Sequence, residues 1–337
     1  VKVVSNKTKW RILVTDIAWP SIDPEAEILA QIGGELTLVE SDSEEELLSK
    51  VHSADAILTC WKQIPESLIE TGRKLQVISN YGIGVDNIPV QMATKYGIIV
   101  TNVPAFCLDE VSDHAMAMIL SCARKICFYN SRLHAHDWEI GSGKPLFRIC
   151  GQTLGIIGFG KIGQTLASKA RAFGMRVLVY DPYVNNGIIQ SLKCHKTDLD
   201  TLFTEADFVT LHVPLNNDTQ GMISADRLRQ MKSTAYLINT SRGAIIDQGA
   251  LVEALNEGRI AGAALDVFVP EYLPPDHPLL AFPNVITTPH VAFYSEEALL
   301  DLEIQAAENV VAVLKGVRPV SIVNPEVLDL PRWSHLQ

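Results

Sequence analysis

The amino-acid sequence predicts an α/β protein built from two doubly wound parallel-sheet domains, and three observations lead there. At 337 residues the chain is long enough for two domains that each bury a core of their own. Short β-rich runs alternate with helical patterns along both halves, the cadence of parallel strands joined by helical crossovers. Near the middle, one glycine fingerprint stands between a strand and a helix.

In the first half the β-rich runs are Arg11 to Thr15, Glu35 to Val39, Ala56 to Thr59, Leu75 to Ser79 and Ile98 to Thr101. Ser43-Glu-Glu-Glu46 before Leu47 is a capping-box start for one intervening helix. Asn80-Tyr-Gly-Ile-Gly-Val-Asp-Asn87 follows a strand with two glycines, so it reads either as a plain βα turn or as a loop that turns backbone N–H groups toward an anion. From Asp109 to Tyr129, apolar Val111, Ala115, Met118, Ile119, Ala123 and Ile126 fall at helical spacing, which predicts one long helix leaving the first domain. His134-Ala-His136-Asp-Trp138, with Gly141-Ser-Gly143 after it, places two histidines two residues apart with no Glu-x-x-His partner. It reads as a connecting segment, and no metal site is expected.

The second half resumes with Thr153 to Ile157, Arg176 to Tyr180, Phe208 to Leu211, Ala235 to Asn239, Ala261 to Leu265 and Val285 to Thr287 as buried-strand candidates. A helix is expected over Glu296 to Lys315, broken by Gly316 and Pro319. The proline-punctuated tail from Asn324 to Gln337 is expected to drape over the surface.

Composition narrows the function classes. A formal net charge of −11 and the lack of a dense basic run argue against nucleic acid or an anionic membrane as partner, since both reward clustered Lys and Arg. Six cysteines (Cys60, Cys107, Cys122, Cys127, Cys150, Cys194) lie scattered with no CxxC pair, which suits reduced thiols in a cytoplasm. Val1-Lys-Val-Val-Ser-Asn-Lys7 has no apolar core of signal-peptide length, and no apolar run approaches the roughly 18 residues that span a bilayer. The chain opens on Val1 and not on Met, so a few preceding residues are expected to be missing.

The fingerprint is Gly158-Phe-Gly160-Lys161-Ile162-Gly163, after the strand at 153–157 and before a helical run from Gln164 to Phe173. Its first glycine allows a tight turn, its second lets backbone approach a pyrophosphate, and its third lets helix pack on strand. The phosphates then meet N–H groups at a helix N-terminus. A second strand ends at Asp181, 18 residues past Gly163, the acid expected to hold the ribose hydroxyls of a dinucleotide. Asp181 would repel a 2′-phosphate and Pro182-Tyr183 supplies no arginine to hold one, so NAD is preferred to NADP.

Three side chains at strand ends of this half could carry redox chemistry on an alcohol, which needs a proton acceptor, a cation that polarises the substrate and a group that tunes the acceptor. Arg242, in Asn239-Thr-Ser-Arg-Gly243, follows a buried strand, and its planar fork suits a carboxylate. His290 sits in Thr288-Pro-His290, just after another strand, and Glu271 lies beyond a third.

These motifs resemble the D-isomer-specific 2-hydroxyacid dehydrogenase family over almost the whole chain. The resemblance rests on the fingerprint with Asp181, His212-Val213-Pro214, the Asn239-Thr-Ser-Arg-Gly243 run, Leu265-Asp-Val-Phe268 with Glu271 five residues after Asp266, and Thr288-Pro-His290. Tyr180-Asp-Pro-Tyr183, Glu110-Val-Ser-Asp-His114 and Tyr294-Ser-Glu-Glu297 are similar to bacterial relatives of C-terminal-binding protein.

The resemblance implies a Rossmann NAD domain, residues 106–295, inserted in a flavodoxin-like substrate domain made of residues 1–105 and 296–337. It also implies a homodimer formed largely through the nucleotide domains. His290 would be the acid and base, Glu271 would hold its other nitrogen, and Arg242 would clamp the substrate. Asp266 would hold the nicotinamide carboxamide side, with Thr240 among the cofactor contacts and His212, Val213 and Pro214 lining the adenine pocket. Tyr81, Gly82, Ile83 and Gly84 would offer backbone N–H groups to the substrate carboxylate.

Two departures from the family bear on specificity. Many close relatives carry Arg where this chain has Asn80, which throws carboxylate binding onto Arg242. Phe293 stands where C-terminal-binding proteins carry Trp, and with Trp61 it implies an apolar pocket for a medium-sized 2-oxo acid, in preference to glyoxylate or 3-phosphoglycerate. Packing of Trp61 and Phe293 at a domain interface is the competing reading. A phosphoglycerate dehydrogenase with a regulatory extension is disfavoured, because the chain stops soon after its last helix. The alternative function, an NAD(H)-sensing binding protein with incidental turnover, needs no proton-transfer set, and the presence of Arg242, Glu271 and His290 favours the enzyme.

Overall fold

The computed structural model describes residues 10–39 and 43–336. The opening Val1 to Lys7, read above for targeting signals, lies outside them, as does Gln337. The chain divides into two compact units, one of Val1–Phe106 with Ser295–Gln337 and the other of Cys107–Tyr294.

The first unit runs β1 (Trp10–Val14), α1 (Asp23–Ala30), β2 (Gly34–Leu38), α2 (Glu44–Val51), β3 (Ala56–Thr59), α3 (Glu66–Thr71), β4 (Val77–Asn80), α4 (Val90–Lys95) and β5 (Ile99–Thr101). Its sheet has the order β2-β1-β3-β4-β5 with every pairing parallel, the flavodoxin-like arrangement. β3 and β4 are buried at every position, as strands covered by helices on both faces must be. The Ser43 side chain accepts the Glu46 N–H at 3.4 Å and starts α2 where the capping pattern places it.

The second unit opens with α5 (Leu108–Arg124) and α6 (Ile126–His134) and continues through β6 (Thr153–Ile157), α7 (Lys161–Ala172), β7 (Arg176–Tyr180), α8 (Asn186–Ser191) and β8 (His195–Lys196). It ends with α9 (Leu199–Glu205), β9 (Phe208–Leu211), α10 (Ala225–Gln230), β10 (Tyr236–Asn239), α11 (Gln248–Asn256), β11 (Gly262–Leu265) and β12 (Val285–Thr287). The seven strands lie in the order β8-β7-β6-β9-β10-β11-β12, all parallel. Counted within the unit this is 3-2-1-4-5-6-7, the Rossmann order with one strand added. One face of the sheet packs on α5 and α7 through Ala115, Ile119, Leu166 and Ala170, and the other on α9 and α11 through Leu202, Phe203, Leu251 and Ala254.

One expectation needs correction here, and one strand went unread. The helix predicted over 109–129 is two helices, because Lys125 takes a left-handed backbone (φ +52°) between them. Apolar spacing cannot register that break, since the stripe ends at Ala123 and Ile126 is 57% exposed on α6, a helix with no buried residue. β8 gave no sequence signal, being two exposed polar residues.

The first unit resumes with α12 (Glu296–Leu314), whose N-cap Ser295 accepts the Ala298 N–H, and α12 packs on α1 and β4. The tail does not drape. Val327, Leu328, Trp333 and Leu336 are buried, and the Trp333 indole donates to the Gly97 carbonyl at 2.8 Å. Asn324, fully buried, accepts the Val100 N–H and donates to Thr94 and the Ile98 carbonyl, so its amide serves edge strand β5 as a neighbouring strand would. The tail adopts 3₁₀ turns, whose three-residue spacing neither strand nor α-helix periodicity reveals.

Candidate active site

The fingerprint sits at the carboxyl end of β6, where the sheet order reverses between β7 and β9 and a crevice opens in doubly wound folds. Gly158 has φ +93°, and a Cβ there would lie 2.5 Å from the His212 carbonyl oxygen; at Gly163 a Cβ would meet the Gly158 oxygen at 2.4 Å. Around Gly160 nothing lies within 4 Å of an added Cβ. The first and third glycines thus answer close packing, while the second leaves the open space that a pyrophosphate requires. Gly160 is the N-cap of α7, so the first-turn amides of Lys161, Ile162 and Gly163 have no carbonyl one turn back within the helix.

Asp181 is buried at the end of β7, where Oδ2 accepts the Phe159 N–H at 2.7 Å and Oδ1 accepts those of Tyr183 and Val184. Oδ1 is filled by its two N–H groups, and Oδ2, with one partner, keeps acceptor capacity for a ribose hydroxyl. The His212 imidazole, with Nε2 2.9 Å from Thr210 Oγ1, is pushed down to about 4 by burial and is neutral at physiological pH. Thr240, next to β10, has a buried hydroxyl with no hydrogen-bond partner. An orphaned hydroxyl on the same sheet edge as the fingerprint, two strands along, fits a polar ligand such as the dinucleotide.

β10, β11 and β12 are adjacent and parallel, so the loops carrying Arg242, Asp266 with Glu271, and His290 leave the same edge of the sheet on strands about 4.8 Å apart. Buried Asn239 shapes the first loop by donating to the Arg242 carbonyl and accepting from Ser241, and Arg242 Nη1 donates to the Ser241 carbonyl. A Cβ at Gly243 would stand 2.2 Å from the Phe268 oxygen, which brings the Arg242 loop against the segment leading to Glu271. Gln248 pins that segment from α11, donating to the Val269 carbonyl and accepting its N–H.

His290 Nδ1 lies 2.5 Å from Glu271 Oε1. A carboxylate can only accept, so Nδ1 carries the proton of this bond. His290 holds φ +52°, a left-handed conformation that costs a non-glycine residue of order 1–3 kcal/mol and persists only when its surroundings enforce it. Asp266, with no exposed surface, is part of that enforcement. Its carboxylate accepts the Thr288 hydroxyl and the N–H groups of Val291 and Ala292, and its carbonyl accepts the His290 N–H.

In the first unit, the Tyr81 N–H is bonded to the Thr59 carbonyl at 2.7 Å, which corrects its expected place among the carboxylate donors. The amides of Gly82, Ile83 and Gly84 have no hydrogen-bond partner among the described residues. Asn80, buried, turns inward and donates to the Gly84 carbonyl, so it shapes this loop without bringing a charge. Trp61 is 42% exposed, and its loop hangs on Asp16, whose carboxylate accepts the N–H groups of Cys60, Trp61 and Lys62. Phe293, in the second unit, meets the His290 ring edge-on at 6.3 Å.

Residues 116–292 match the family model described as the D-isomer specific 2-hydroxyacid dehydrogenase NAD binding domain. A glyoxylate reductase of Korarchaeum cryptofilum is 39% identical over 292 residues, covering 86% of this chain and 88% of the relative. The chain belongs to the D-isomer-specific 2-hydroxyacid dehydrogenases. Among solved structures, D-lactate dehydrogenase from Aquifex aeolicus complexed with NAD and lactic acid is similar at a TM-score of 0.83 and 30% identity, covering 90% of this chain and 96% of that one. A D-3-phosphoglycerate dehydrogenase of Synechocystis is 39% identical over 96% of this chain, which spans 58% of that relative's length. This dehydrogenase is accordingly an NAD-dependent oxidoreductase acting on the CH–OH group of a 2-hydroxy acid.

Sequence reading of the dehydrogenase missed the residues that hold its loops. Asp16, Gln248 and Glu25, which accepts the Tyr81 hydroxyl at 2.7 Å, stand in no motif and act on segments remote in the chain. A buried acid such as Glu25 on an otherwise apolar helix face was the one available signal.

Proposed function

We propose that this dehydrogenase reduces a medium-sized apolar 2-oxo acid with NADH, and oxidises the corresponding D-2-hydroxy acid in reverse. The observation that carries the reading is the His290–Glu271 pair, held in a left-handed loop on the same sheet edge as Arg242 and the dinucleotide fingerprint. NAD supplies the hydride donor or acceptor. The chain's own residues do the rest: His290 Nε2 gives its proton to the keto oxygen and takes it back in reverse, while Glu271 orients the ring and stabilises its charged form. Arg242 holds the substrate carboxylate and carbonyl, and in the first unit the amides of Gly82, Ile83 and Gly84 are available to a carboxylate. Asp181 receives the ribose hydroxyls and selects NAD over NADP, and Asp266 faces the carboxamide side as well as holding the His290 loop.

Substrate size is argued from Phe293, whose ring stands beside the acid and gives a side chain lying there an apolar wall. A glyoxylate reductase relative and a lactic acid complex among the neighbours support a small 2-oxo acid as the class. The protein acts as a homodimer through its nucleotide unit, a reading supported by exposed Ile126, Leu133, Trp138 and Ile140 on and after α6. Six free thiols support a cytoplasmic setting, and among the described residues no helix is long and apolar enough to cross a membrane. Replacing His290 by Ala should lower keto-acid reduction by at least ~100-fold, the scale of a lost general acid, while NADH binding followed by fluorescence titration stays close to that of the unmodified enzyme. Unchanged turnover in His290→Ala would remove the assigned role.

A further inference from the structure

His114 lies on α5, well away in sequence from every residue assigned to proton transfer, and its side chain is only 24% exposed. Its Nε2 stands 3.0 Å from Thr288 Oγ1, which in turn stands 2.5 Å from Asp266 Oδ1. Counting protons sets the direction of this chain of bonds. The Asp266 carboxylate can only accept, and the Thr288 hydroxyl has one proton, which goes to Asp266. The bond between His114 and Thr288 must therefore be donated by the imidazole Nε2–H. At 3.8 Å from Asp266 Oδ1, His114 is too far to bond the carboxylate itself, so its influence passes through Thr288.

We infer that His114 is a positioning residue for the reaction, acting through Thr288 and Asp266 on the backbone that carries His290. The Asp266 carboxylate also takes the Val291 and Ala292 N–H groups, and its carbonyl takes that of His290, so rotation of this one carboxylate would loosen the loop on the far side of the acid. Thr288 can hold the carboxylate in one orientation only while its own oxygen is engaged. His114 engages it. Removing that donor leaves the Thr288 hydroxyl free to turn, and the left-handed backbone at His290 loses part of what enforces it. An acid displaced by ~1 Å is enough to slow proton transfer on the order of 100-fold. The inference rests on the reading of His290 as acid and base.

The test compares His114→Leu, which removes the donor, with His114→Gln, which returns an N–H near the position of Nε2. Steady-state kinetics and the primary isotope effect with deuterated NADH are read for both, together with melting temperature. For His114→Leu we expect kcat to fall by about 10-fold or more, the scale of a lost outer-shell partner, with KM for NADH within about 2-fold and a larger isotope effect as the chemical step slows. His114→Gln should recover to within about 3-fold of the unmodified enzyme. A His114→Leu enzyme with unaltered kcat overturns the inference, and so does equal loss in both variants that follows melting temperature, which would mean packing alone. Should His114→Leu not fold, Thr288→Val against Thr288→Ser carries the same comparison. Retained turnover in His290→Ala would sink the role of His290 and this inference together. Loss there with normal kcat in His114→Leu and Thr288→Val would overturn this inference alone.

Discussion

His290, Glu271 and Arg242 each stand a few residues past a strand end, and the proposed substrate preference turns on the side chains around them. Asn80 replaces an expected arginine and bonds its own loop, so no guanidinium enters from that position. Phe293 stands beside His290, and the proposed function makes it a wall for the substrate's side chain. In a kinetic panel of 2-oxo acids with NADH and NADPH, acids with a medium apolar side chain should surpass glyoxylate and phosphorylated acids in kcat/KM, and NADH should surpass NADPH because of Asp181. In Phe293→Ala the preference for the larger acids should shrink by about 10- to 100-fold, the worth of one or two methylene contacts, with glyoxylate turnover little changed. A preference for a phosphorylated or two-carbon acid in the unmodified enzyme would sink the substrate assignment. At this scale the residues proposed to react could be named from sequence, because their motifs are short and continuous. Those that position them could not, since Asp16 and Gln248 reach across the fold with unremarkable sequence around them.

Helices α1 and α12 carry a pair of buried acids, Glu25 and Glu303, which their local sequences do not relate. Burial, and then the charge of Glu25, pushes the Glu303 carboxyl up to about 7, and burial raises Glu25 as well. Between the ordinary value of 4.5 and about 7, the folded chain keeps a proton on Glu303 that the unfolded chain has released. Its contribution to stability is therefore fully present below 4.5 and is lost as pH rises through about 7. Glu303→Gln should match the unmodified protein in melting temperature at about pH 5 and exceed it by a few degrees at about pH 8. A variant that melts lower than the unmodified protein at the higher pH would show that an ionised Glu303 is wanted there. The element scale also records what periodicity can and cannot find. It located α12 to within a residue, since a long amphipathic helix repeats its signal, and it passed over the left-handed Lys125 that separates α5 from α6.

For the whole molecule, the homodimer reading predicts a native mass about twice the 37.0 kDa of one chain by light scattering. Trp138 and Ile140 are 80% and 86% exposed, and the combined change Trp138→Ser and Ile140→Glu should shift the protein toward monomer at micromolar concentration. A monomeric unmodified enzyme would end that proposal. Taken alone, the sequence determined the α/β class and the nucleotide fingerprint, and it named Arg242, Glu271 and His290 as candidates. These are carried by apolar periodicity and short motifs, and both are properties of contiguous residues. Only the tertiary structure decided that the tail closes the edge of β5, that the Tyr81 amide is engaged by Thr59, and that His114 reaches Thr288 across 174 positions of chain. Such contacts are set by strand order and by hydrogen-bond geometry between segments that meet only once the sheets have formed, so no local pattern of residues records them.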